Sequence, residues 1–356
     1  MNLFSIVIIS ILYVSGLIIL YITYLAKKNR EKSAFINNLI NGLVLIFSIT
    51  INLILIKIID LPSKEFIVFP FNILMIAFIC LYIPLFSIFI YREKQRSKNI
   101  KKKESKIENE TLLELPLKYD LYRKITHLIV LGIIFFYFTL GFLVQNFFIY
   151  IFEFVPEFIS NLFYIGEDMM MFTQNLVVFL VGISLIGLLI AEVVRIIRPE
   201  FYPLKPVNQL LREKELHLRL GPHISMSVGC FSIILLYGLF QPIGPVIICT
   251  SMVISIFGDI SSNLVGRTIG RRKIRKTDKT YEGLFAGVII AFISGLIVLY
   301  LLQAYYEFTL LGLFLIPLLG ALIIGLLDYI NLEIDDNLSY NFCSSTILFF
   351  VSFSFL

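Results

Sequence analysis

The chain contains no tryptophan, and only 15% of its 356 residues are charged. A soluble domain of this length could not hide an apolar fraction of 58%, so a water-soluble globule is excluded. Without Trp, Tyr has to supply any aromatic belt at a bilayer interface. Cysteine is scarce as well. Cys80, Cys230, Cys249 and Cys343 all sit in apolar stretches without short paired spacing. They read as small core residues, not as a disulfide framework or a zinc site. There is no Gly-x-x-x-x-Gly-Lys-Ser/Thr phosphate loop and no protein-kinase glycine loop. The first apolar segment lacks a basic leader and a small-residue cleavage site, so a retained anchor is expected there.

What is present is a series of long apolar runs, with a mean hydropathy of +0.90. About ten are long enough to cross a bilayer: roughly 3–25, 34–59, 66–91, 125–152, 172–197, 222–240, 243–264, 283–302, 308–330 and 341–356. The predicted fold is all-α, a polytopic integral membrane protein with about ten transmembrane helices. The seventh run is expected to be interrupted by its own polar motif, and the tenth is short.

Basic and non-basic loops alternate. Lys27, Lys28, Arg30 and Lys32 follow the first run, and a Lys- and Arg-rich stretch from Arg92 to Lys106 follows the third. Arg198, Lys205, Arg212, Lys214 and Arg219 follow the fifth, and Arg271, Arg272, Lys273, Arg275, Lys276 and Lys279 follow the seventh. The loop after the fourth run holds Glu153, Glu157, Glu167 and Asp168 with no Lys or Arg. Cations are retained on the cytoplasmic side, so both termini are predicted outside. Three parts are expected: an N-terminal three-span unit (1–91), a basic cytosolic linker (92–120) and a seven-span membrane domain (121–356).

The remaining polar groups cluster at the predicted cytosolic ends of the runs. Positive-inside bias accounts for cations there but not for carboxylates. Asp259 and Asn263 are four apart and share a helix face, as a Mg²⁺ ligand and its neighbour would. The plainer alternative is that Asp259 caps a helix beginning after Gly258. Gly266 and Gly270 have helix-packing spacing and are flanked by Arg267 and Arg271. Lys279-Thr280-Tyr281-Glu282-Gly283 enters the eighth run, where Thr280 can cap and a helix N-terminus attracts phosphate. Lys124 and His127 are three apart, as are Glu192 and Arg195, for which an intrahelical ion pair is the plain reading. Glu333-Ile334-Asp335-Asp336-Asn337 is expected to close the ninth run and to offer a second metal or base site.

At these residues the chain resembles the dolichol kinase and phytol kinase family, relatives of phosphatidate cytidylyltransferases. The resemblance rests on Arg123 to His127, Glu192 to Arg195, and Arg212 to Glu215 with Gly221. It continues through Gly258 to Gly270, Lys279 to Gly283 and Glu333 to Asn337, in the family's order. It implies a kinase that moves the γ-phosphate of CTP to a membrane lipid alcohol, preferably a dolichol or other polyprenol, with Mg²⁺ or another divalent cation. The site residues it implies are Asp259, Lys279, Asp336, Glu192 and His127 for catalysis. Asn263, Gly266, Arg267, Gly270, Lys273, Thr280, Glu282 and Gly283 would hold the nucleotide, and Asp259, Asp335 and Asp336 the metal. Expected partners are CTP, the lipid alcohol and the bilayer, without nucleic acid; homo-oligomerisation is left open.

Two departures stand out: Ser262 replaces a common Ala, and Leu338-Ser339-Tyr340 runs where a proline is expected. Phytol, geranylgeraniol and diacylglycerol are alternative acceptors. A phosphatidate cytidylyltransferase-like enzyme and a transporter are the alternative classes. The former is disfavoured by its missing signatures, the latter by charges gathered at one face.

Overall fold

A computed structural model describes residues 2–59, 64–100, 122–124, 127–156, 169–274, 277 and 279–355. Most of the expected linker, together with Arg275, Lys276, Glu157, Glu167 and Asp168, lies outside them. Ten helical segments follow the ten apolar runs: α1 (Leu3–Lys28), α2 (Lys32–Ile58), α3 (Phe71–Ile100), α4, α5 (Met169–Ile197), α6 (Pro222–Tyr237), α7 (Ile243–Thr268), α8 (Tyr281–Leu302), α9 (Leu310–Ile330) and α10 (Asp336–Ser352). Segment α4 is composite, passing through Leu128–Val130, Leu131–Phe135, a wide π turn at Phe136–Leu140 and Gly141–Phe152. No strand occurs among the described residues, only an antiparallel bridge between Lys273 and Thr280. Nine of these segments are apolar and long enough to span a membrane, and α6 is a shorter apolar helix. The chain is a multi-pass, all-helical membrane protein.

In lipid there is little hydrophobic force between helices, so close backbone approach and interhelical hydrogen bonds hold such a bundle together. Both are present. Gly258, Ser262 and Gly266 of α7 face Gly283, Gly287 and Ala291 of α8, each set repeating every four residues. A Cβ on Gly283 would fall 2.5 Å from the Ser262 carbonyl oxygen, and one on Gly287 would fall 2.9 Å from the Ser262 Cβ. On the other side of α8, Phe285, Ile289, Ile293 and Ile297 are exposed as a lipid-facing stripe. Helix α7 is buried over most of its length and forms the centre.

Two expectations need correction. Helix α7 runs unbroken through Asp259 and Asn263, so the polar motif does not interrupt it and Asp259 is not an N-cap. The acidic run does not close the ninth span. Helix α9 ends at Asn331 in the left-handed region (φ 53°), and the acidic residues open α10, with Asp335 as N-cap. Helix α2 of the N-terminal three spans packs on α6 and the loop before it: Asn38 donates to the Leu218 carbonyl (2.8 Å), Asn41 to the Ser225 hydroxyl (3.2 Å) and Asn52 to the Leu235 carbonyl (2.6 Å). The first part of the expected linker continues α3 to Ile100.

Candidate functional site

The alternation of spans brings the starts of α4, α6, α8 and α10 and the ends of α5, α7 and α9 to one end of the bundle. Asp259 is nine residues before the end of α7, roughly 13 Å along the axis. A carboxylate that deep requires partners. Lys124 forms an ion pair with its Oδ2, and His127 Nδ1 lies 3.8 Å from the same atom.

Lys279 forms the other half of the cluster. Its Nζ reaches Asp328 Oδ1 at 2.7 Å and Asp336 Oδ2 at 3.4 Å. Burial alone would lower the Lys279 pKa, but the Asp336 and Asp328 carboxylates outweigh it and hold the ammonium above its ordinary value. Three carboxylates (Asp259, Asp328, Asp336) face two ammonium groups (Lys124, Lys279) and the His127 imidazole. Asp259 and Asp336 also line one narrow cavity, with Ser255, Asn337, Tyr340 and Asn341.

Asp328 was not foreseen, although a lone carboxylate near the end of an apolar span was a usable signal. Besides Lys279 it accepts hydrogen bonds from Ser262 (2.7 Å) and Tyr340 (2.8 Å). Ser262 is one departure from the family pattern, and Tyr340 lies in the other. Both therefore converge on the same carboxylate.

The cavity's oxygens suit a hard cation. Asp259 and Asp336 supply carboxylates, and Asn341 Oδ1 is buried without a hydrogen-bond partner among the described residues. Asp335 does not join them, because its Oδ1 accepts from both the backbone and side-chain nitrogens of Asn337. No group of three or more His, Cys, Asp or Glu side chains is arranged to hold a metal among the described residues. The donor set is two carboxylates and an amide.

The expected nucleotide residues divide. Arg267 and Lys273 are exposed at the rim with Arg271 and Arg272. Asn263 lies one turn beyond Asp259 and is half-buried. Gly266, Gly270 and Gly283 serve close packing. A Cβ on Gly270 would fall 2.2 Å from the Gly266 carbonyl, and one on Gly283 would fall 2.9 Å from the Gly266 Cα. Thr280 caps α8, its hydroxyl accepting from Gly283 N at 3.2 Å. Glu282 turns back to accept from the Arg271 and Arg272 amides, each at 3.2 Å. It holds the basic loop in place.

Glu192 belongs to a second buried network. Its Oε1 accepts from Arg195 Nη2 and from Gly221 N, both at 2.6 Å, and its Oε2 accepts from Arg195 Nε at 2.8 Å. His223 Nε2 is 3.4 Å away. Arg195 also donates to the carbonyls of Glu215 (2.9 Å) and Arg219 (2.8 Å). The pair therefore clamps the loop before α6. Arg219 extends the clamp to the Glu333 carbonyl (3.1 Å), and Asn37 Oδ1 accepts from Asp335 N (2.9 Å). Helix α2 thus helps to fix the start of α10.

Fold and cluster define a class: a helical multi-pass membrane protein with a lysine–aspartate network buried at one end. Comparison of the chain with protein-family models, with curated proteins and with solved structures finds no match.

Proposed function

We propose that this chain is a lipid-alcohol kinase of the dolichol and phytol kinase type, taking the γ-phosphate of CTP to a membrane isoprenoid alcohol. The observation that carries the reading is the gathering of Lys124, His127 and Lys279 on Asp259 and Asp336, from four separate segments, near exposed cations of the loop between α7 and α8. An idle cluster of this kind would be costly in a membrane protein. The use of CTP rather than ATP, and of a polyprenol rather than another alcohol, rests on the motif resemblance alone.

The residues divide the work by how tightly each is held. Asp259 is fixed between Lys124 and His127, so it remains an anionic anchor. Asp336 has one cation at 3.4 Å and is the more accessible, so it is the better base for an acceptor hydroxyl proton. Lys279 neutralises charge on the transferring phosphate, and the rim cations Arg267, Arg271, Arg272 and Lys273 draw the polyphosphate in. A divalent cation held by Asp259, Asp336 and Asn341 would add charge neutralisation at the phosphate oxygens. The cytosolic placement of this end, with both termini outside, follows from the loop cations.

The test uses purified protein in detergent with Mg²⁺, a prenol panel that includes dolichol, and phosphatidic acid. CTP is labelled at the α- or the γ-phosphate. Lipid-borne γ-label, with ATP a poor substitute, is the expected outcome. Lipid-borne α-label would make the protein a cytidylyltransferase. No transfer of either label to any acceptor would sink both enzyme readings.

A further inference from the structure

Of the three carboxylates in the lysine–aspartate cluster, Asp259 and Asp336 line the cavity and Asp328 does not. Asp328 lies two residues before the end of α9 and is buried. Its oxygens are filled by donors from three other segments. Oδ1 accepts from Lys279 Nζ (2.7 Å), in the loop before α8, and from the Tyr340 hydroxyl of α10 (2.8 Å). Oδ2 accepts from the Ser262 hydroxyl of α7 (2.7 Å). A carboxylate so occupied, and off the cavity wall, acts through its neighbours and not on a ligand.

Lys279 is the neighbour that bears on chemistry. An ammonium group has three hydrogens to donate. Two have acceptors among the described residues, Asp328 Oδ1 at 2.7 Å and Asp336 Oδ2 at 3.4 Å, which leaves one for a phosphate oxygen. The side chain is 24% exposed, so a ligand can reach it. The two anchors differ in permanence. On the kinase reading, the proton of the alcohol passes to Asp336 while its oxygen bonds to the γ-phosphorus, and the bond from that phosphorus to the bridging oxygen breaks onto the leaving CDP. Asp336 is then neutral and no longer a counter-charge for Lys279. Asp328 takes no part in the proton transfer and keeps its charge. It also keeps its place, because Ser262 and Tyr340 hold it from α7 and α10.

We propose that Asp328 is the positioning residue for Lys279, holding the ammonium at the phosphate site while Asp336 changes charge, with Ser262 and Tyr340 fixing Asp328 for that task. The step it serves rests on the kinase reading; the tether itself rests on the ion pair and the two hydroxyl hydrogen bonds.

The test is a pair of double-variant cycles on the full chain in detergent, using wild type, Asp328→Asn, Lys279→Met and the double variant. The first cycle reads transfer from γ-labelled CTP to a prenol, per folded molecule. Asp328→Asn should cut kcat about tenfold or more while the KM for CTP changes less than about threefold, because the ammonium stays near the nucleotide but is drawn to Asp336. In the Lys279→Met background the same change should cost no more than about twofold, since nothing is left to position. An equal loss in both backgrounds would make Asp328 merely structural and overturn the proposal. The second cycle reads thermal midpoints of the same four proteins and needs no activity. The two single shifts should together exceed the shift of the double variant by roughly 2 °C or more. Additive midpoints would overturn the tether. If wild type transfers no label, the kinase reading fails and the midpoints decide the tether alone. If Asp328→Asn does not fold, Ser262→Ala takes its place in both cycles, with a loss in kcat of about threefold expected only where Lys279 is present.

Discussion

Asp259 and Glu192 are both buried carboxylates with a basic partner, yet substitution should separate them. Asp259 faces the cavity, so Asp259→Asn should cut phosphate transfer by about a hundredfold or more while the protein still folds. Glu192 is not among the cavity's lining residues and ties the loop before α6 to α5. Breaking such a buried pair costs about 3 kcal/mol or more. Glu192→Gln should therefore lower the thermal midpoint clearly, with transfer per folded molecule falling less than tenfold. Parallel assays of unfolding and label transfer check both; equal loss of transfer per folded molecule would put Glu192 in the chemistry.

Lys279 gives a pH prediction. Its pKa is raised above the ordinary 10.5, so its ion pairs contribute fully below that value and are lost as pH rises through the higher folded-state value. The stability gap between wild type and Lys279→Met should stay constant from neutrality to about pH 10 and close only in stronger alkali. A gap that closes near neutrality would contradict the assigned contacts.

At the scale of elements, the α7–α8 seam is the most sensitive contact. Gly283→Ala places a methyl 2.5 Å from the Ser262 carbonyl, a backbone atom that cannot swing aside. A loss of about 1–3 kcal/mol follows. Gly132 has nothing within 4 Å of the equivalent position, so Gly132→Ala should be neutral or stabilising by up to about 1 kcal/mol. Midpoints of the two variants against wild type check this.

The ten helices were legible because runs of about twenty apolar residues in lipid have one economical form. Thr280 as a cap was legible from its place before α8. The unbroken course of α7 was not, because an Asp deep in a helix is tolerable only when Lys124 arrives from a segment 135 residues earlier. Asp328 was overlooked for a similar reason. Its partners Ser262, Lys279 and Tyr340 are three separate neighbours that no local pattern unites.

For the molecule as a whole, the buried asparagines of α2 join the first spans to the rest. A version lacking residues 1–91 should fail to form the lysine–aspartate cluster. It should show no label transfer and no cooperative unfolding, even when made in full yield. A truncated chain with wild-type unfolding would restore the picture of two independent units. Orientation is open to direct measurement. Single cysteines placed beside Lys28 and beside Lys273 should react with an impermeant thiol reagent only from the cytosolic side.

The line of asparagines along α2 also bears on how the chain is made. Asn38 waits for a partner 180 residues later, and Asn37 for partners 182 and 298 residues later. During synthesis α2 enters the bilayer long before either exists, carrying amides that lipid cannot satisfy. Helix α1 is the one neighbour already at hand. The early hairpin of α1 and α2 is therefore an unfinished half, held in an unfavourable solvent until α6 and the start of α10 arrive. Assembly of the cluster at Asp259 and Lys279 is thereby tied to later events in translation, and a chain stalled before residue 218 leaves Asn38, Asn41 and Asn52 without these partners.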